Sequence, residues 1–238
     1  MSCYFNQKNN DINFVFQPMF GKSGRLVAVE CLSRLHKNGD FAHLAPEKFF
    51  QQADSDTRIE ILLEQVSLIE KYQSWFRENR VIATLNVDDH SLCSLANDRF
   101  SERISKINCI HFEISEHSTQ LIKNRLHGNP LLNGYSFWLD DFGSGYAGFS
   151  ALYNSQFHFV KLDRFLLWDF MEKPGGKDLM HSLLRYLSLN QHRVIIEGVE
   201  TAEHKKWLDE MPYHALQGKL WKESDIKDLS SFLTAEYF

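Results

Sequence analysis

Missing from the chain is any uninterrupted apolar run approaching the ~20 residues of a membrane helix. Its polar start, MSCYFNQKNNDIN, has neither a basic signal region nor a following apolar core. The chain is therefore expected to be soluble, with no membrane association. Cysteine is scarce: the four, Cys3, Cys31, Cys93 and Cys109, form neither a CxxC pair nor a disulfide framework, which leaves a reducing cytoplasm as the simplest setting. There is no positive surplus either. The net charge is −5, with no basic patch or stripe, so duplex nucleic acid is not an expected partner, and a phosphorylated ligand would need metal or local basic residues to hold it. The eleven histidines contain no HExxH pair, so His111, His117 and the others read as surface or core residues rather than ligands. No linker or low-complexity tract interrupts the sequence. GNP at Gly128 and KPGGK at Lys173 read as loops, and residues 1–238 are expected to form a single domain.

What is present is ample material for a core, with 43% hydrophobic and 13% aromatic residues in 238. Short apolar or β-branched runs predict strands at INFVFQPMF, LVAVECLSRL, VIATLNV, IHFEI, YSFWL, FHFVKL, RVIIEG and, more weakly, HALQG. Helical spacing falls between most of them. TRIEILLEQVSLIEKYQSWF puts Ile59, Leu62, Leu63, Val66 and Ile69 on one face, and KDLMHSLLRYLSL repeats the pattern with Leu179, Leu183, Leu184 and Leu187. Strands alternating with helices at a pitch of roughly 25–30 residues predict a β/α barrel, with an open doubly wound sheet as the alternative. Only GKSGR separates the first two runs. A connection of hairpin length makes that pair antiparallel and the barrel irregular at its start.

The polar residues inside these runs carry the functional signal. Glu30 lies in the second, Asn86 ends the third, Glu113 and then Glu116 follow in the fourth, and Asp140 and Asp141 close the fifth. Lys161 sits in the sixth, Glu197 and then Glu200 end the seventh, and Gln217 lies in the eighth. In a β/α barrel these strand ends converge on the rim where active sites lie. Adjacent aspartates such as Asp140 and Asp141 can be a mere strand-ending turn, and Lys161 taken alone would be a solvated or ion-paired lysine. Together, so many carboxylates at one mouth require cations, and one lysine is not enough. Carboxylate and amide oxygens without an organised His or Cys set favour Mg²⁺ or Mn²⁺ over zinc. Asp140 flanked by Asp141 suits two ions about 3.5–4 Å apart that share a water.

In order and spacing, ECLSR, LNVD, EISE, DDFGSGY, KLD, EGVE and QG resemble the motifs of the EAL-domain cyclic di-GMP phosphodiesterases, over essentially the whole chain from Phe16 to Trp221. The resemblance implies a modified TIM (β/α)8 barrel with an antiparallel first strand, and a hydrolase that opens cyclic di-GMP to linear pGpG by a two-metal mechanism. It implies Glu30, Asn86, Glu113 and Asp140 as ligands of one ion and Asp140, Asp141 and Glu197 around the second. Lys161 and Glu197 would handle the attacking water and its proton. Arg34 would bind phosphate, Leu32, Glu200 and Gln217 would border the substrate, and Glu116 would secure the Gly143-Ser144-Gly145 loop. Gln217 can equally be a buried, hydrogen-bonded glutamine. Mg²⁺ or Mn²⁺ is the implied cofactor, with Ca²⁺ inhibitory, and a homodimer through helices near the fifth and sixth strands is the implied assembly.

Departures from the family pattern are few. Cys31 replaces an alanine, Asp88 and Asp89 follow Asn86 where Ser-Pro is usual, and Lys219 and Lys222 alter the final motif. None removes an implied ligand. With no sensory domain alongside, regulation would come through expression, partners or oligomerisation, and control of biofilm, fimbriae or motility is implied by resemblance alone. The alternative function is an EAL-like adaptor, catalytically weak, that binds a protein partner such as a transcription factor.

Overall fold

The computed structural model describes residues 12–35, 45–95, 102–104, 106–122, 132, 134–145, 148–153 and 157–234. Cys3 and the GNP loop at Gly128 lie outside them. Strands β1 (Ile12–Gly21), β2 (Leu26–Leu35), β3 (Ile82–Asn86), β4 (Ile110–Ser115), β5 (Phe137–Phe142), β6 (Phe159–Leu162), β7 (Arg193–Ile196) and β8 (Ala215–Gln217) close into a barrel in sequence order. β1 runs antiparallel to both β2 and β8, while the other neighbours pair in parallel. The hairpin turn explains the reversal. Gly24 takes φ 75° and donates to the Gly21 carbonyl at 2.9 Å, a conformation that glycine adopts without steric cost.

Among the described residues, the outer layer includes α1 (Pro46–Gln52), α2 (Ser55–Lys71), α3 (Gln73–Asn79), α4 (Asp89–Leu95), α5 (Thr119–Ile122), α6 (Ser150–Tyr153), α7 (Arg164–Glu172), α8 (Gly176–Leu189), α9 (Ala202–Leu208) and α10 (Ser231–Thr234). The long run beginning at Thr57 is two helices, not one. Asp54 caps the first by accepting from Thr57 N at 2.8 Å. Tyr72, at φ −108° and ψ 9°, ends it and lets the next helix turn Phe76 fully into the core. Ile59 and Leu63 are only half-buried, at the edges of a stripe formed by Leu62, Val66 and Ile69.

On α8 the expected face is rotated. Met180, Leu184 and Leu187 are fully buried, Leu183 is half-buried, and Leu179 is 55% exposed. Leu179 lies seven residues before Tyr186, hence on the same outward side. KPGGK is the corner between α7 and α8: a Cβ on Gly176 would sit 1.8 Å from the Phe170 carbonyl oxygen, so only glycine fits that crossing.

Inside the barrel the side chains form two tiers, because residues two apart on a strand face the same way. The lower tier is apolar. Met19, Ala28, Trp138, Phe159, Ile195 and Ala215 form their own buried cluster, with Trp138 and Phe159 stacked at 4.2 Å. Trp138 donates its indole N–H to Nδ1 of His111 at 2.8 Å. Two residues further along each parallel strand come Glu30, Glu113, Asp140, Lys161, Glu197 and Gln217. On antiparallel β1 the order inverts, and Gln17 precedes Met19.

Candidate active site

The upper tier gathers around one ammonium. Lys161, only 1% exposed, places Nζ 2.7 Å from Glu113, 2.8 Å from Glu197 and 3.1 Å from each of Glu30 and Asp140. An ammonium has three protons to give, so four carboxylates exceed it. Asp140 Oδ1 is in ionic contact with Lys161 but lacks hydrogen-bond geometry, and Glu113 Oε1 is buried with no hydrogen-bond partner among the described residues. Glu30 is better served. It accepts from Asn86 Nδ2 at 2.6 Å, from Gln217 Nε2 at 2.7 Å and from Lys161. Gln217 also donates to Gln17 at 3.0 Å, so in this structure it is a buried, hydrogen-bonded residue facing the cluster.

These surroundings decide where protons stay. Burial raises the Glu113 carboxyl to about 8, and the neighbouring Glu30 charge adds to this against the pull of Lys161. Asp140 is pushed well above the carboxylate range by burial, helped by the charges of Glu197, Glu113 and Asp141 against the pull of Lys161. Glu197 is raised chiefly by burial as well. Glu30 goes the other way: burial opposes ionisation, but Lys161, Gln217 and Asn86 together hold it below the usual value. Burial works against the Lys161 charge, and the four carboxylates more than reverse that, leaving it well above an ordinary lysine. Glu30 is thus the favoured anion, while burial and the shortage of positive charge push Glu113, Asp140 and Glu197 toward their neutral forms.

Asp140 and Asp141 are adjacent in β5, where successive side chains ordinarily face opposite sides. They share a face here because the β5–β6 register shifts between Leu139 and Phe142, and Asp141 takes φ 57°. The carboxylates of Asp140, Asp141 and Glu197 consequently come within 4.8 Å of one another. Ser115 fixes Asp141 by donating from Oγ at 2.9 Å. Just beyond, fully buried Glu116 accepts from Ser144 Oγ and Gly145 N, both at 2.6 Å, and from Gly143 N at 3.3 Å. His117 Nε2 lies 2.9 Å from the same Ser144 hydroxyl.

A cavity of about 730 Å³ opens beside Asp140 and Asp141, bordered by Leu32, Arg34, Phe50, Arg58 and Asn86. Arg34 stands on its wall and pairs with Glu223, while Glu200 pairs with Lys219 at 2.8 Å. The aspartates that replace Ser-Pro have local work. Asp88 caps α4 by accepting from Ser91 N at 2.7 Å and pairs with Arg58 at 2.5 Å. Asp89 accepts from Ser118 Oγ and Thr119 Oγ1, tying α4 to the segment after β4. Sequence reasoning passed over Gln17 and Ser115. Spacing could have found both, since Ser115 lies two residues past Glu113 and Gln17 two before Met19.

Comparison with known proteins bears on the family. The model of the EAL domain matches residues 5–224. The chain belongs to the EAL domain family. It is 31% identical over 207 residues to the cyclic di-GMP phosphodiesterase PdeH of Escherichia coli, covering 86% of this chain and 80% of PdeH. It is also 22% identical over 219 residues to the anti-FlhC(2)FlhD(4) factor YdiV of Salmonella typhimurium, covering 90% of this EAL chain and 92% of YdiV. The crystal structure of the EAL-like protein YdiV superposes with a TM-score of 0.83 at 20% identity, covering 94% of this chain and 97% of that one. The EAL domain of FimX from Pseudomonas aeruginosa, solved with cyclic di-GMP bound, superposes with a TM-score of 0.70 at 19% identity, covering 92% and 93%. These structural likenesses speak to the fold alone. Relatives of this chain thus include both a cyclic di-GMP phosphodiesterase and an anti-FlhC(2)FlhD(4) factor.

Proposed function

We propose that this EAL protein hydrolyses cyclic di-GMP to linear pGpG with the help of two divalent cations. The observation that carries this reading is the charge count at the barrel mouth. Glu30, Glu113, Asp140, Asp141 and Glu197 face one ammonium, which leaves four negative charges if all five ionise, the complement of two divalent ions. The donor set also fits hard cations: carboxylate and carboxamide oxygens converge, and buried Glu113 Oε1 lacks a protein hydrogen bond among the described residues. Glu30, Asn86, Glu113 and Asp140 would hold one ion, and Asp140, Asp141 and Glu197 the other. Bound Mg²⁺ or Mn²⁺ would make a water more acidic and stabilise charge developing on the phosphodiester.

The protein's own groups do the rest. Arg34 offers a guanidinium fork suited to phosphate, with Leu32, Glu200 and Gln217 around the substrate. Glu197, its carboxyl raised by burial, is suited to accept the water's proton, and Lys161 at 2.8 Å stabilises the resulting charge distribution. A homodimer is supported by an apolar face on α6–α8, where Phe149, Phe165, Leu179, Tyr186 and Leu189 are exposed. Phe149 contacts Tyr186 on one side and Phe142, next to Asp141, on the other, which offers a route between interface and site. The helices of the described residues contain none long and apolar enough to cross a membrane, and a cytoplasmic setting belongs to the same proposal.

The second reading is a protein-binding regulator, favoured by the likeness to YdiV. One experiment separates the two. Purified protein should convert cyclic di-GMP to pGpG with Mg²⁺ or Mn²⁺, bind it unhydrolysed with Ca²⁺, and lose on the order of 10²-fold in turnover on Asp140→Asn. Folded protein that hydrolyses nothing with any divalent ion overturns the enzyme and promotes the regulator.

A further inference from the structure

The segment after β8 departs from the family pattern and takes no part in the chemistry proposed above. It is held down at several points. A Cβ on Gly218 would meet the Val199 carbonyl oxygen at 2.1 Å, so the backbone passes in direct contact with the turn after β7, and Leu220 N donates to that same oxygen at 3.1 Å. Trp221, 2% exposed, packs on Phe20 with ring centres 5.4 Å apart. Ser224 exchanges both backbone hydrogen bonds with Phe16 of β1, at 2.8 and 3.0 Å. Glu223 lies between the last two anchors, so its backbone has little freedom to carry it off the rim.

Its carboxylate meets Arg34. The guanidinium Nε donates to Oε2 at 3.2 Å and one terminal nitrogen donates to Oε1, while the other donates to the Ser33 carbonyl at 3.3 Å. This is the two-pronged contact that a guanidinium also makes with a phosphate. The same segment supplies Lys219 to Glu200. Two rim residues read as substrate contacts are thereby occupied by a single moored strap.

We propose that Glu223 is an internal competitor for the phosphate subsite, so that a phosphodiester must displace this carboxylate to reach Arg34. The inference rests on the reading of Arg34 as a phosphate ligand. Glu223 then sets affinity, not chemistry, because its contact is with the guanidinium and not with the carboxylate cluster. Both partners are about one-third exposed, 39% and 34%, which keeps the effect within the range of exposed ion pairs: relief of the competition should tighten binding by about two- to fivefold.

Affinity for a fluorescent cyclic di-GMP analogue in Ca²⁺, and steady-state hydrolysis in Mg²⁺, would be measured for the wild type, Glu223→Gln, Arg34→Ala and the double variant. Glu223→Gln should bind more tightly and lower KM by the same factor with kcat unchanged, an advantage that shrinks as salt rises. In the Arg34→Ala background the same substitution should change nothing. Unchanged affinity in Glu223→Gln, or an equal gain without Arg34, overturns the competitor while leaving the proposed activity standing. If none of the four proteins binds the dinucleotide, the proposed function fails first and the competitor with it.

Discussion

Replacing Lys161 with methionine keeps most of the stem's volume and removes only the ammonium on which Glu30, Glu113, Asp140 and Glu197 converge. At an effective dielectric constant of about 20, each contact near 3 Å is worth roughly 5 kcal/mol before desolvation. Most of that gross attraction offsets the penalty of burying the ions, and removing one partner of a buried pair typically costs about 3–5 kcal/mol. For a chain of this length that corresponds to a fall in Tm of about 10–15 °C. The carboxylates left behind have gained a need for positive charge, so added Mg²⁺ should recover more stability in Lys161→Met than in the wild type. The assay is thermal unfolding followed by circular dichroism, with EDTA or with Mg²⁺. A loss of Tm below about 2 °C, or identical Mg²⁺ shifts in both proteins, would refute the view that Lys161 neutralises this cluster.

Glu116→Ala should loosen the Gly143-Ser144-Gly145 loop and weaken metal loading more than dinucleotide affinity, measurable by metal titration and limited proteolysis; unchanged metal loading would remove that role. His111 accepts from Trp138, and burial lowers its imidazole pKa from 6.5 to about 4. The unfolded chain therefore binds a proton that the folded protein refuses, so about 3 kcal/mol of stability, fully present above pH 6.5, should be lost as pH falls through about 4. His111→Gln should flatten that part of the Tm-versus-pH curve, and parallel curves would count against the assignment. Leu179→Glu, on the exposed face of α8, should turn a dimer into a monomer in sedimentation with the barrel intact; a wild type already monomeric at micromolar concentration removes the dimer.

How much was legible in the sequence follows from which physical signals are local. Strand positions were clear because β-branched and aromatic runs are short and bounded, and the antiparallel start was clear because GKSGR is too short for a crossover. The rim residues stood out because carboxylates within apolar strands are expensive. The α8 face was rotated in the reading because leucine occurs on both sides of that helix, so composition could not choose the stripe through Met180. Taken alone Lys161 gave no more than an ion-paired lysine, and only its place on the rim and the family resemblance marked it as a candidate, because its fourfold company arrives from β2, β4, β5 and β7 and depends on barrel closure. That Asp140 and Asp141 act at one site was expected, but how they come to share a face was hidden, since it needs a register shift and a left-handed residue that no pattern of alternation announces. The Arg34–Glu223 pairing spans most of the chain and follows from the return of the last segment onto β1.

The two tiers inside the barrel bind heredity as well as chemistry. Most strands that deliver a polar group to the mouth anchor themselves with an apolar residue two positions below, as Trp138 does for Asp140 and Phe159 for Lys161, while Glu113 stands above His111 and Asn86 above Thr84. A single-residue insertion or deletion within such a strand would turn both outward together, emptying the floor and the mouth in one event. Between strands no such bond exists, so length changes can accumulate in the connections while the mouth is inherited as a unit with its floor.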